Sequence, residues 1–107
     1  MGSVSVISRK EEFDLILSGI DENLRGVVSG LVDEIVFLED QMRELKKLPF
    51  LRINPRNPEM MKPTAAARQY KECSQSYMNA IRILVGILKG TDETAADELL
   101  EKLKEFK

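Results

Sequence analysis

Few side chains in this sequence are equipped for bond-making chemistry. Cys73 is the one thiol, and no histidine is present to lower its pKa or to act as a general base. Cys-His and Ser-His-Asp catalysis and His-ligated zinc are therefore excluded within one chain. Cys73 falls on an apolar helical stripe, where a cysteine behaves as a small hydrophobe. Asp33-Glu34 and Glu39-Asp40 offer carboxylates, but neighbours on a helix diverge by about 100° and no Glu-x-x-His partner exists, so a bundle metal centre lacks its parts. The glycines are scattered along helical segments with no Gly-Lys-Ser/Thr, which removes a phosphate-binding loop. No catalytic residue, metal ligand or cofactor is expected, and the chain reads as non-enzymatic.

What remains is charge, and its order along the chain is more telling than the net charge of −2. Residues 1–45 carry ten acidic and four basic side chains, and residues 91–107 carry six and three. Between them the balance reverses: Lys46, Lys47, Arg52, Arg56, Lys62, Arg68 and Lys71 face Glu59 alone over residues 46–71. Two fates are open to these seven cations. They contact nucleic-acid phosphates, or they pair with the acidic faces of the long helix in the same or an adjacent subunit. Tyr70 and Tyr77, seven residues apart, suit core packing with the hydroxyl at the rim, base stacking being the alternative.

The elements that must position these residues are helical. With 107 residues the chain is one domain, residues 1–107, and 43% hydrophobic against 32% charged residues is the balance of a folded chain. Ser8-Arg9-Lys10-Glu11 has the form of a capping box and opens a short helix over residues 8–20. Asp21 caps a long helix over residues 21–48, on which Leu24, Val28, Leu31, Ile35, Leu38, Met42 and Leu45 alternate spacings of four and three. Val27, Val32 and Val36 widen that stripe, while Asp33, Glu34, Glu39, Asp40, Arg43 and Glu44 are expected on the outer face. Gly26, Ser29 and Gly30 are candidates for close approach of another helix. Pro49, Pro55, Pro58 and Pro63 make residues 49–63 a stiff, extended, basic connector. Thr64 caps a second long helix over residues 64–89, whose seam of Ala66, Tyr70, Cys73, Tyr77, Ala80, Leu84 and Ile87 is backed by a second row of Met78, Ile81, Val85 and Leu88. Gly90 is the expected left-handed C′ residue, and Thr91-Asp92 or Thr94 opens an acidic, mobile C-terminal helix over residues 91–106.

The fold class is thus all-α, a long antiparallel helical hairpin with short flanking helices. Six aromatic residues and no tryptophan leave a thin core, so the seams point to a homo-oligomeric bundle or ring, with a monomeric three- or four-helix bundle as the alternative. A helix-turn-helix over residues 11–31 has the right outline, but its second helix opens Asp21-Glu22 and would meet phosphates with like charge. No stretch approaches the ~18 apolar residues of a membrane span, and Met1 to Ile7 has neither a basic n-region nor a long enough apolar run for a signal peptide. Met1-Gly2-Ser3 reads equally as a cloning remnant. The expected location is the cytoplasm.

Leu51-Arg52-Ile53-Asn54-Pro55-Arg56-Asn57-Pro58, the helix start Pro63-Thr64-Ala65-Ala66-Ala67, and Tyr70 followed by Ser74-Gln75-Ser76-Tyr77-Met78 together resemble the second half of some small subunits of bacteriophage terminase. The resemblance covers about residues 45–90. It implies a ring-forming, double-stranded-DNA-recognising partner of the large terminase subunit in genome packaging, acting in the host cytoplasm. Arg52 and Arg56 would then serve DNA, Asn54 and Pro55 the shape of the connector, and Tyr70, Tyr77 and Met78 the packing of the helix. The sequence departs from the family plan at its front, where acidic residues 8–23 stand in place of a basic helix-turn-helix domain. A reading of a different class is a helical adaptor that docks on another protein through its apolar heptad faces and binds no DNA.

Overall fold

The computed structural model describes residues 8–106, and the expectations attached to Met1 to Ile7 lie outside them. Helix α1 (Arg9–Ile16) starts where the Ser8 hydroxyl accepts the Glu11 N–H at 3.2 Å, and α2 (Glu22–Leu45) where the Asp21 carboxylate accepts the Asn23 N–H at 2.9 Å. The other helices are α3 (Ala65–Thr91), capped by Thr64, and α4 (Glu93–Leu103), capped by Asp92. Each cap answers amide groups that a first helical turn leaves without partners.

Helices α2 and α3 run antiparallel, since Lys46 lies by Tyr70 at one level and Glu39 by Tyr77 at another. The apolar seam is closed within the chain. Val28, Ile35, Leu38, Met42 and Leu45 of α2 and Tyr77, Ala80 and Leu84 of α3 are buried, while Leu24, Leu31 and Tyr70 pack half-buried at the margins. Phe13 and Leu17 from the front end, with Ala95, Ala96 and Leu99 of α4, complete the core. The C-terminal helix is therefore docked rather than mobile. None of the described helices is long and apolar enough to cross a membrane.

Four expectations are corrected. The buried face of α2 is rotated towards Val32 and Glu39, which are 0% and 1% exposed, while Val27 stays in solvent. Glu39 thus belongs to the interior and not to the outer face. The second correction is Gly90: α3 runs through it to Thr91 with no left-handed residue, because the extended Asp92 ends one helix and caps the next without a glycine. Third, a Cβ added at Gly26 or Gly30 would meet nothing within 4 Å, so among the described residues no helix packs closely on these two glycines.

The fourth is the largest. Residues 49–63 are not a plain extended connector. Helix α2 stops at Leu45, and beyond it β1 (Leu51–Asn54) and β2 (Asn57–Pro63) pair as an antiparallel hairpin with Leu51 opposite Pro63, Arg52 opposite Lys62 and Ile53 opposite Met61. The prolines are accommodated because both strands of a two-stranded ribbon are edges. Pro55 lies in the turn, Pro58 beside the register shift next to Ile53/Asn54, and Pro63 at the strand end. The described protein is mostly helical with this one small sheet.

Candidate nucleic-acid interface

The hairpin is rooted by Thr64. Its hydroxyl donates to the Pro49 carbonyl at 2.7 Å and accepts the Ala67 N–H, while its own N–H donates to the Phe50 carbonyl at 3.1 Å. The Phe50 ring leans on Tyr70 with centroids 5.4 Å apart. Beyond this root the ribbon stands alone, and strand alternation sorts its side chains into two faces. Leu51, Ile53, Met61 and Pro63 share one face. Arg52 and Lys62 share the other.

Arg52 and Lys62 are directly opposed, an arrangement that places like charges at cross-strand distance and weakens a ribbon already marginal by itself. Neither has an ion-pair partner among the described residues, and the same holds for Arg68 and Lys71 on α3. Pairing of these four with the acidic helix faces, one of the two fates open to them, does not occur among the described residues. Several of those acids are engaged elsewhere: Asp33 with Lys10, Glu12 with Lys102, and Asp40 with Arg43. Arg56 lies at the exposed hairpin turn. Lys46, Lys47 and Arg56 are not among the cations left without partners. Lys47 pairs with Glu44 at 3.0 Å, and Lys46 lies over the rings of Tyr70 and Phe106.

Arg68 and Lys71 open a stripe that sequence reasoning did not follow to its end. Arg68, Lys71, Gln75, Asn79, Arg82, Gly86 and Lys89 recur at three- and four-residue intervals and are all exposed on α3. At 1.5 Å per residue they span about 32 Å. Arg82 and Lys89 are the missed cations, and their spacing from Arg68 and Lys71 was the signal. The face offers charge and hydrogen-bond donors at regular spacing, which suits a phosphate backbone and carries no base code.

Tyr77 does not serve this surface, while Tyr70 packs half-buried at the root of the arm. The Tyr77 hydroxyl donates to Glu39 Oε2 at 2.6 Å inside the bundle, and Arg9 grips the same carboxylate with two bonds of 3.0 and 3.1 Å. Arg9 also donates to the Lys102 carbonyl, so this clasp ties α1, α2, α3 and α4 together. Burial first, then the bond to Glu39, push the Tyr77 pKa well above the usual phenol value. For Arg9, burial works in the lowering direction, but the bond and charge of Glu39 outweigh it and the pKa is raised. Both groups keep their protons, and the carboxylate between them is fully engaged. The clasp has the chemistry of a structural pin. No cluster of three metal-ligating side chains occurs among the described residues, and Cys73 is half-buried.

The fold and its surface define a class: a four-helix domain carrying a rooted β-arm with one basic and one apolar face. Compared with known proteins, the chain matches no family model, no curated protein and no solved structure.

Proposed function

We propose that the protein is a non-enzymatic DNA-packaging component resembling small terminase subunits, phage- or prophage-encoded. It assembles with copies of itself, holds double-stranded DNA by its phosphates and engages a large motor subunit in the host cytoplasm. The observation that carries this reading is the opposed Arg52 and Lys62, two like charges without a counterion among the described residues, on a ribbon that has little stability to spare. An anion lying across the pair relieves that repulsion, and a phosphate backbone continues from it onto the α3 stripe. Each phosphate held by a cation releases condensed counterions, so affinity follows salt.

The test is duplex binding across a salt series. The native protein is expected to lose affinity steeply with salt, and Arg52→Glu with Lys62→Glu to reduce the logarithmic slope by about two, roughly one for each phosphate that is no longer neutralised. No duplex binding even at low salt would overturn the proposal and favour the helical adaptor.

A further inference from the structure

The seam residues are largely covered inside the chain, so self-assembly has to use apolar surface exposed elsewhere, and two such surfaces complement each other. One is the arm face, where Leu51, Ile53 and Met61 are 56%, 60% and 53% exposed. The other is a groove between α3 and α4 of about 590 Å³, with Met78, Ile81, Leu100, Leu103 and Phe106 among its lining. Its α4 rim carries Asp97 and Glu101. Glu101 is tied to Lys104 at 2.9 Å in an exposed pair, whereas Asp97 has no ion-pair partner among the described residues.

Charge decides which surface meets which. The arm, residues 51–63, holds three basic side chains and one acidic, while the charged lining of the groove is Asp97 and Glu101 against Lys104. Arm against arm brings like net charge together, and so does groove against groove. Arm against groove joins opposites and covers both apolar patches at once. The arm leaves its apolar face bare on its own chain, so the groove it fills belongs to another copy.

We infer that the β-arm of one copy lays its apolar face into the α3/α4 groove of the next, a head-to-tail arrangement that leaves Arg52 and Lys62 pointing away from the groove. This rests on the self-assembly proposed above and names the surface that performs it. A head-to-tail interface propagates and closes into a ring when the rotation permits, whereas a two-fold interface stops at a dimer. A few side chains on each side make an interface well below the standard ~1,600 Å², so one such joint is weak and closure makes the joints cumulative.

The experiment is native mass with two variants whose altered side chains are exposed: Ile53→Asp on the arm and Leu100→Asp in the groove, each checked for native helicity. The unaltered protein is expected as a multimer and each variant alone as a single chain. A mixture of the two should give a two-chain species and nothing larger, because one intact arm and one intact groove remain. A native-mass multimer formed by Leu100→Asp alone would overturn the inference while leaving self-assembly standing. An unaltered protein that is a single chain would overturn both. Should either variant lose helicity, Met61→Cys with Glu101→Cys in a Cys73→Ser background replaces it. Oxidation of the two thiols to a disulfide by molecular oxygen, itself reduced to hydrogen peroxide, is expected to link chains into a ladder. Absence of interchain links would overturn the arm-to-groove joint.

Discussion

The interior of the bundle and the arm handle charge in opposite ways. Around Glu39, a carboxylate 1% exposed is met by Arg9 and by the Tyr77 hydroxyl, and no buried side-chain nitrogen or oxygen among the described residues lacks a partner. On the arm, Arg52 and Lys62 face each other without a counterion among the described residues, and Leu51, Ile53 and Met61 are exposed on the other face. The buried polar groups of the bundle are satisfied among themselves, so they stabilise the fold. The arm leaves both charge and apolar area unused, and unused surface of both kinds is what binding consumes.

The sharpest way to break this contrast is at the clasp. Glu39→Ala leaves the half-buried Arg9 guanidinium and the Tyr77 hydroxyl without their shared acceptor and should cost about 3–5 kcal/mol, read as a lower denaturant midpoint. A loss below about 1 kcal/mol would mean that the clasp is ornamental to stability.

A paired truncation sharpens it further. Leu84 is 0% exposed, and Leu84→Ala should cost about 2–5 kcal/mol through lost burial and the cavity left behind. On the arm, Ile53→Ala should move the unfolding midpoint of the single chain by no more than about 0.5 kcal/mol. Equal effects at the two positions would show that the arm is part of the core.

The smallest effect is in alkali. The folded protein holds the Tyr77 proton above the pKa of an unfolded tyrosine, chiefly through burial and next through Glu39. Between those two pKa values the folded state binds more protons than the unfolded one, so stability is full below about pH 10 and falls as pH rises. Lys10, raised first by its bond to Asp33, and Lys102, raised first by its bond to Glu12, act in the same direction. Unfolding midpoints measured from neutral to alkaline pH should fall more steeply for the native protein than for Tyr77→Phe.

Much of the helical half was legible because its signals are local. Ser8, Asp21, Thr64 and Asp92 each cap a helix through an amide two or three residues on, and the four-three spacing of Val28 through Leu45 needs only the 3.6-residue period to be heard. The arm was obscured by its prolines. The apolar-basic alternation of Leu51-Arg52-Ile53 and Met61-Lys62-Pro63 is a strand signal, but Pro55, Pro58 and Pro63 argue against any strand with neighbours on both sides. Only a ribbon with two edges reconciles the two. Arg82 and Lys89 were missed because charge was summed by segment and not by helix face.

By itself, then, the sequence determined the presence of the four helices, the N-terminal caps Ser8, Asp21 and Thr64, the lack of histidine and the reversal of charge at residues 46–71, all of which depend on residue type or on near neighbours. Tertiary structure alone decided that Glu39 is an interior residue, since its partners Arg9 and Tyr77 stand 30 and 38 positions away. It also decided that the heptad seam is spent within the chain while the arm stays bare. Burial is a property of which surfaces meet, and a one-dimensional pattern names the apolar faces without naming what covers them.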